Sequence, residues 1–170
     1  MICIFYHFFF FLERDSNHRL CLTDDLQLEL KEFIRIGRFN NSDEEIILNL
    51  VEKFEDAELF GSLIKDFNYT PEQYDILLKY IEHNVNADLQ YDLIDWNIIA
   101  NVKPIICALL KQAYILSSKY DVVVTNPPYA GNAKLPDNVS KYLQASYPDT
   151  KSDLFSAFIE RNMDYSTQNG

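Results

Sequence analysis

From about Asp24 to Ser118 apolar residues recur every three to four positions, the spacing that lines one face of a helix. The stretch TDDLQLELKEFIRIG opens with Thr23 as a cap, carries acidic residues in its first turn and stops at Gly37. The next, NSDEEIILNLVEKFEDAELFGSLI, has Ser42 as cap and Glu45 three residues on, with Ile46, Ile47, Leu50, Val51 and Phe54 on one face. In TPEQYDILLKYIEHN, Thr70 caps and Pro71 takes the first helical position, and NVKPIICALLKQAYILSSK predicts a helix from about Pro104 to Ser117. Leu93, Ile94 and Trp96 are expected to pack against apolar faces, because a lone Trp among Asp88, Asp92 and Asp95 is a poor partner for phosphate.

The period changes at KYDVVVTNPPYAGN. Val122, Val123, Val124 and Thr125 form a β-branched run that predicts a strand over Tyr120–Thr125, buried in a parallel sheet covered on both faces. Asn126 leaves that strand, and neither Pro127 nor Pro128 can donate to a ladder, so the strand ends in free acceptors. A loop with Gly131 and Pro136 follows, then a short helix from Asp137 to Ala145. In KSDLFSAFIERNMDYSTQNG, Ser152 is the expected cap of a helix over about Asp153 to Thr167, with Leu154, Phe155, Phe158, Ile159 and Met163 as its apolar face. The order strand, loop, helix predicts an α/β element after a mainly helical first two thirds, dividing the chain at residues 1–118 and 119–170. A helix closing on Asn169 and Gly170 turns into a next strand, so the sequence reads as a fold cut midway.

Composition narrows the function. A chain of 170 residues, 48% apolar and 14% aromatic, has enough material for a core. The net charge of −11 argues against the chain gripping a nucleic-acid backbone by itself. From Asp121 onward the net charge is −2, leaving −9 on the first 120 residues, so an anionic substrate would approach the C-terminal part. Cys3, Cys21 and Cys107 are scattered, as are His7, His18 and His83, which predicts neither disulfides nor a metal site and fits a reducing cytoplasm. The opening MICIFYHFFFFL is too short to cross a bilayer and lacks a basic start, so it is expected to be a core segment or an unnatural start to a fragment.

Asn126, Pro127, Pro128 and Tyr129 at the end of an apolar strand resemble the catalytic motif of amino-group methyltransferases that use S-adenosylmethionine, above all the N6-adenine DNA methyltransferases. Such a motif has a physical logic: the Asn126 side-chain oxygen and the Pro127 carbonyl can both accept from one exocyclic NH2, and the Tyr129 ring offers a stacking face to a base flipped from its duplex. The flanks YPDTKSDLFSAFIERNMDYSTQNG, FGSLIK, LIDW and LLKQAYILSSK are similar to the PglX-type adenine methyltransferases of bacteriophage-exclusion (BREX) defence systems, from about Asp56 to Gly170, whereas Met1 to Glu55 carries no signature.

The resemblance implies a Rossmann-like methyltransferase sheet, S-adenosylmethionine as cofactor, and double-stranded DNA as partner of the full-length enzyme, with other defence-system proteins as further partners and no membrane. Members of that family also carry a glycine-rich strand-turn-helix upstream of the motif. Here the four glycines, Gly37, Gly61, Gly131 and Gly170, form no such loop. The chain therefore reads as a piece of an adenine methyltransferase, from a broken or split gene, that is inactive alone. Two alternatives stay open. The same four residues occur in enzymes that methylate a protein glutamine amide, and the chain could instead be a non-catalytic helical interaction module.

Overall fold

The computed structural model describes residues 2–3, 24–55, 57–85, 92–127 and 135–168. Pro128, Tyr129 and the glycines at 131 and 170 lie outside the described residues, as do Thr23 and nearly all of the aromatic opening. The chain divides into two compact units, one of Met1–Phe10, Glu58–Asp66 and Leu116–Gly170, the other of Phe11–Ala57 and Phe67–Ile115. The unit that contains the Asn-Pro-Pro-Tyr segment thus recruits a piece of chain from about sixty positions upstream.

The second unit is helical: α1 (Asp24–Gly37), α2 (Asn41–Lys53), α4 (Pro71–Asn84) and most of α5 (Leu93–Ser117), with α3 (Ala57–Phe60) at its boundary. Ile46, Ile47, Leu50, Val51 and Phe54 are all buried, as their spacing predicts. The α4 start matches the sequence in detail, with the Thr70 hydroxyl accepting from the Gln73 amide and the Gln73 side chain accepting from the Thr70 amide. The cap of α2 is Asn40 rather than Ser42: its side chain accepts from the Asp43 amide at 2.9 Å, which starts the helix two residues earlier. Gly37 ends α1 because the Phe39 ring folds back over it, and a Cβ there would sit 2.2 Å from that ring. The left-handed turn falls on Arg38 instead. The helices are tied by Arg35 to Asp95 (3.0 Å), by Lys111 to Glu82 (2.9 Å), and by the Tyr80 hydroxyl donating to the Gly37 carbonyl (3.0 Å).

The sequence expectation for α5 needs correcting twice. The helix begins at Leu93, not Pro104, because Asp92 accepts from the amides of Ile94 and Asp95 at 2.9 and 2.8 Å and nucleates a turn ahead of the proline. Pro104 inside the helix leaves the carbonyl four residues back without its amide, a defect of about 3 kcal/mol in an isolated helix, which burial of Ile98, Ile99, Val102 and Ile106 on both sides of it offsets. That register also places Leu93, Ile94 and Trp96 outward, 82%, 71% and 48% exposed, so they do not pack as expected. Although α5 is long and apolar enough to cross a membrane, Ile99, Val102, Leu109, Leu110 and Ala113 are buried within the protein, as befits a core helix.

The first unit holds the only sheet among the described residues: β1 (Ile2–Cys3) runs parallel to β2 (Val123–Val124), Ile2 opposite Val123 and Cys3 opposite Val124. The predicted strand over Tyr120–Thr125 shrinks to two residues plus an isolated parallel bridge from Tyr120 to Ser166. Nor is it buried, since Val122 and Val124 are 50% and 47% exposed. A β-branched run is buried on both faces only where strands flank it and helices cover it, and the described residues supply one two-residue neighbour.

The core of this unit lies instead between α6 (Asp137–Ser146), α7 (Leu154–Tyr165) and the 3-10 turn Gly61–Leu63, where Leu63, Val139, Leu143, Tyr147, Leu154, Ala157 and Phe158 cluster. The cap of α7 is Asp153, which accepts from the Ser156 amide and hydroxyl at 3.2 Å, so Ser152 is displaced by one. The predicted apolar face is divided: Leu154 and Phe158 turn inward with Ala157, Arg161 and Tyr165, while Phe155, Ile159 and Met163 stay exposed.

Candidate functional site

Asn126 and Pro127 stand just past the carboxyl end of β2, Asn126 exposed and Pro127 buried. Both residues carry acceptors at the point where the strand stops: the Asn126 side-chain oxygen and, on a residue without an N–H, the Pro127 carbonyl. Pro128 and Tyr129, the other two predicted site residues, lie outside the described residues.

Sequence reasoning missed the cluster that supports this strand. Arg161, 5% exposed, is the buried charge among the described residues. Its guanidinium donates to three backbone carbonyls: Nε to Ser62 at 3.2 Å, and an Nη nitrogen to Ile64 at 2.7 Å and to Leu116 at 2.8 Å. It also lies over the Tyr165 ring, 3.9 Å from the centroid. Three tyrosines complete the grip. Tyr165 donates to the Ser62 carbonyl at 2.7 Å, and Tyr142 and Tyr147 both donate to the Leu63 carbonyl at 3.0 and 2.5 Å.

The segment Ser62–Ile64 can present its carbonyls this way because Gly61 takes a positive φ of 53°, a region open to glycine at little cost. Four side chains from α6, the residue that follows it and α7 thus hold a turn some eighty to one hundred residues earlier in the chain, and the same guanidinium pins the end of α5 at Leu116. A sequence signal existed: Leu154, Ala157, Arg161 and Tyr165 follow the helical period, which puts Arg161 on the inner face.

Burial pushes the hydroxyls of Tyr142, Tyr147 and Tyr165 above the ordinary tyrosine value, with the Arg161 charge opposing the shift at each. A raised folded pKa means the neutral form is favoured in the fold, so this stability is intact below about pH 10 and is lost as pH rises beyond it. Thermal unfolding should therefore show no tyrosine-linked loss between pH 7 and 9, then a fall of roughly 1.4 kcal/mol per pH unit for each such group above pH 10. The share of tyrosinate absorbance due to these three groups, followed alongside, would rise in step with unfolding. A rise in the folded protein near pH 10 for all eleven tyrosines would contradict the geometry.

The described residues do not fit a seat for a nucleotide cofactor. Gly37 ends a helix under the Phe39 ring, and Gly61 opens a turn whose carbonyls Arg161 and the tyrosines already occupy, so neither belongs to a strand-turn-helix with free amides.

Compared with known proteins, residues 15–170 match the family described as the Eco57I restriction-modification methylase. The match starts well before Asp56, so α1 and α2 fall within it although they carry no recognisable motif. The chain belongs to this family of methylases. Among its relatives is the adenine-specific methyltransferase PglX of Lacticaseibacillus casei (strain Zhang), 30% identical over 143 residues, which are 84% of this chain and 12% of PglX. Another is the adenine-specific methyltransferase BrxX of Escherichia coli O9:H4 (strain HS), 28% identical over 136 residues, 79% of this chain and 11% of BrxX. The chain therefore spans about an eighth of the length of these relatives.

Proposed function

We propose that this chain supplies the target-amine site of a DNA adenine N6-methyltransferase that acts in phage defence. The observation that carries the reading is the placement of Asn126 and Pro127 at the carboxyl end of a parallel strand, within a chain of the methylase family. In this reading residues 119–170 are part of a Rossmann-like catalytic domain, residues 1–118 are its helical companion, and the exposed Val122 and Val124 lie on a sheet face that further parts of the enzyme cover. The exocyclic NH2 of a flipped adenine donates one hydrogen to the Asn126 side-chain oxygen and the other to the Pro127 carbonyl. Both bonds strengthen as the nitrogen becomes tetrahedral, and the lone pair is left pointing away from the two acceptors. Tyr129 stacks on the base.

S-adenosylmethionine is the cofactor implied by the family, held by residues other than those described here, and double-stranded DNA is bound mainly by parts more basic than this acidic chain. The enzyme would work in the cytoplasm, without a membrane, alongside other defence-system proteins. The four unpaired glycines favour a second reading, in which the 170 residues alone are an inert module that docks with the rest of the enzyme. Methylation of a protein glutamine amide would use the same acceptors, but the similarity to PglX and BrxX favours adenine.

A methyl-transfer assay with tritiated donor separates the readings. The isolated chain is expected to incorporate no label into DNA, and a polypeptide that adds a glycine-rich cofactor loop and a DNA-reading region is expected to label adenine N6. Robust labelling by the isolated chain would overturn the dependence on a separate cofactor seat. Label on a glutamine amide of a protein substrate, with none in DNA, would move the assignment to the alternative.

A further inference from the structure

The chain reaches β2 through three residues that are each fastened to the exit of α7. Lys119 Nζ donates to the Asp164 carbonyl. The Tyr120 amide donates to the Tyr165 carbonyl at 2.7 Å, and the Tyr120 carbonyl accepts from the Thr167 amide at 3.0 Å, forming the parallel bridge with Ser166. The Thr167 hydroxyl donates to the Asp121 carboxylate at 3.0 Å. Of these contacts, the Thr167–Asp121 pair is the one made by side chains at both ends, and it is the last before β2, just past whose end Asn126 stands. The α7 exit is itself anchored, because Arg161 and Tyr165 bind the Ser62–Ile64 turn.

We propose that Thr167 is a positioning residue for the amine site: through Asp121 it fixes the angle at which β2 leaves the α7 anchor, and so the place where the Asn126 oxygen and Pro127 carbonyl stand. The inference rests on the reading of Asn126 and Pro127 as amine acceptors. It goes beyond that reading in assigning a role to a residue forty-one positions downstream. The physical basis is lever-like. Between Asp121 and Asn126 the chain has two ladder residues, Val123 and Val124, and its side chains at Val122 and Val124 are exposed, so local packing does little to hold it. A backbone this lightly packed takes its direction from its last fixed point.

The test uses the 170-residue chain, labelled with 15N, and the variants Thr167→Val and Thr167→Ser. Valine keeps the size and β-branching and removes the hydroxyl, whereas serine keeps the hydroxyl. Two measurements are made: amide hydrogen exchange at Val123 and Val124, and titration with adenosine read at the Asn126 side-chain amide resonance, with inosine, which lacks the exocyclic amine, as control. Thr167→Val is expected to speed exchange at Val123 and Val124 by about fivefold, the worth of one ordinary solvent-exposed hydrogen bond, and to weaken the adenosine-dependent shift of Asn126 by a similar factor at an unchanged melting temperature. Thr167→Ser is expected to restore both, and inosine to move Asn126 in none of the proteins. A Thr167→Val chain that binds adenosine as the parent does, or that melts earlier in proportion to its lost binding, overturns the positioning role alone. Absence of any adenosine-specific shift in all three proteins overturns the amine-site reading, and the role given to Thr167 with it.

Discussion

In the longer methyltransferase proposed above, Asn126→Ala is expected to lower methyl transfer to adenine by about 10²–10³-fold, the usual effect of deleting one preorganised polar partner of a transition-state group. The amine nitrogen must develop positive charge as it attacks, and in the proposed site its two hydrogens are then held by the Asn126 oxygen and the Pro127 carbonyl. The carbonyl belongs to the backbone and survives any substitution, so the side chain is the half of the site that mutation can reach. Because Asn126 is exposed, its truncation leaves no buried polar group behind, and the melting temperature should stay within the range of ordinary surface substitutions. The loss should fall on kcat, since the acceptors act most strongly on the charged transition state. Tyr129→Ala should instead weaken capture of the flipped base, and Tyr129→Phe should be milder because the stacking face remains. Steady-state kinetics on a DNA substrate decides between these patterns. An Asn126→Ala enzyme with parental kcat would remove Asn126 from the mechanism.

The largest effect on stability is expected at Arg161. Arg161→Met keeps much of the side chain's length and its apolar stem but deletes the donors to the Ser62, Ile64 and Leu116 carbonyls. A buried acceptor left unpaired costs about 1–3 kcal/mol, so the variant should lose about 3–5 kcal/mol, with Ser62 partly spared because Tyr165 also donates to it. Arg161→Lys should recover little, because a single ammonium cannot span three carbonyls that a planar fork reaches from one position. Urea unfolding of the full chain checks this by the fall in midpoint at unchanged slope. A loss below about 1 kcal/mol for Arg161→Met would mean that the carbonyls find other donors.

These two residues mark what the sequence could and could not convey. The strand end before Asn126 and Pro127 was legible because the signal is local: a β-branched run meets two prolines, and the end of the strand is written in consecutive residues. The helices were legible for the same reason, as the Thr70, Pro71 and Gln73 start and the buried Ile46, Ile47, Leu50 and Val51 face show. Caps were misjudged by one or two positions where two capping residues stand close together, since Asn40 competes with Ser42 and Asp153 with Ser152. Leu93, Ile94 and Trp96 were misjudged because composition says that large apolar residues prefer burial but cannot say which side of a helix meets the core.

By itself the sequence determined the helical character of the first two thirds, the strand-loop-helix order after Lys119, and the chemistry that a strand ending in Asn126 and Pro127 can offer, since each rests on residues within a few positions of one another. Only the tertiary structure decided that Arg161, Tyr142, Tyr147 and Tyr165 close on the Gly61–Ile64 turn, and that the α7 exit fastens the approach to β2. Those contacts join residues forty-five to one hundred and three positions apart. A guanidinium or a hydroxyl has no preferred partner until folding brings a free carbonyl to it, and no local pattern in the chain records which carbonyl that will be.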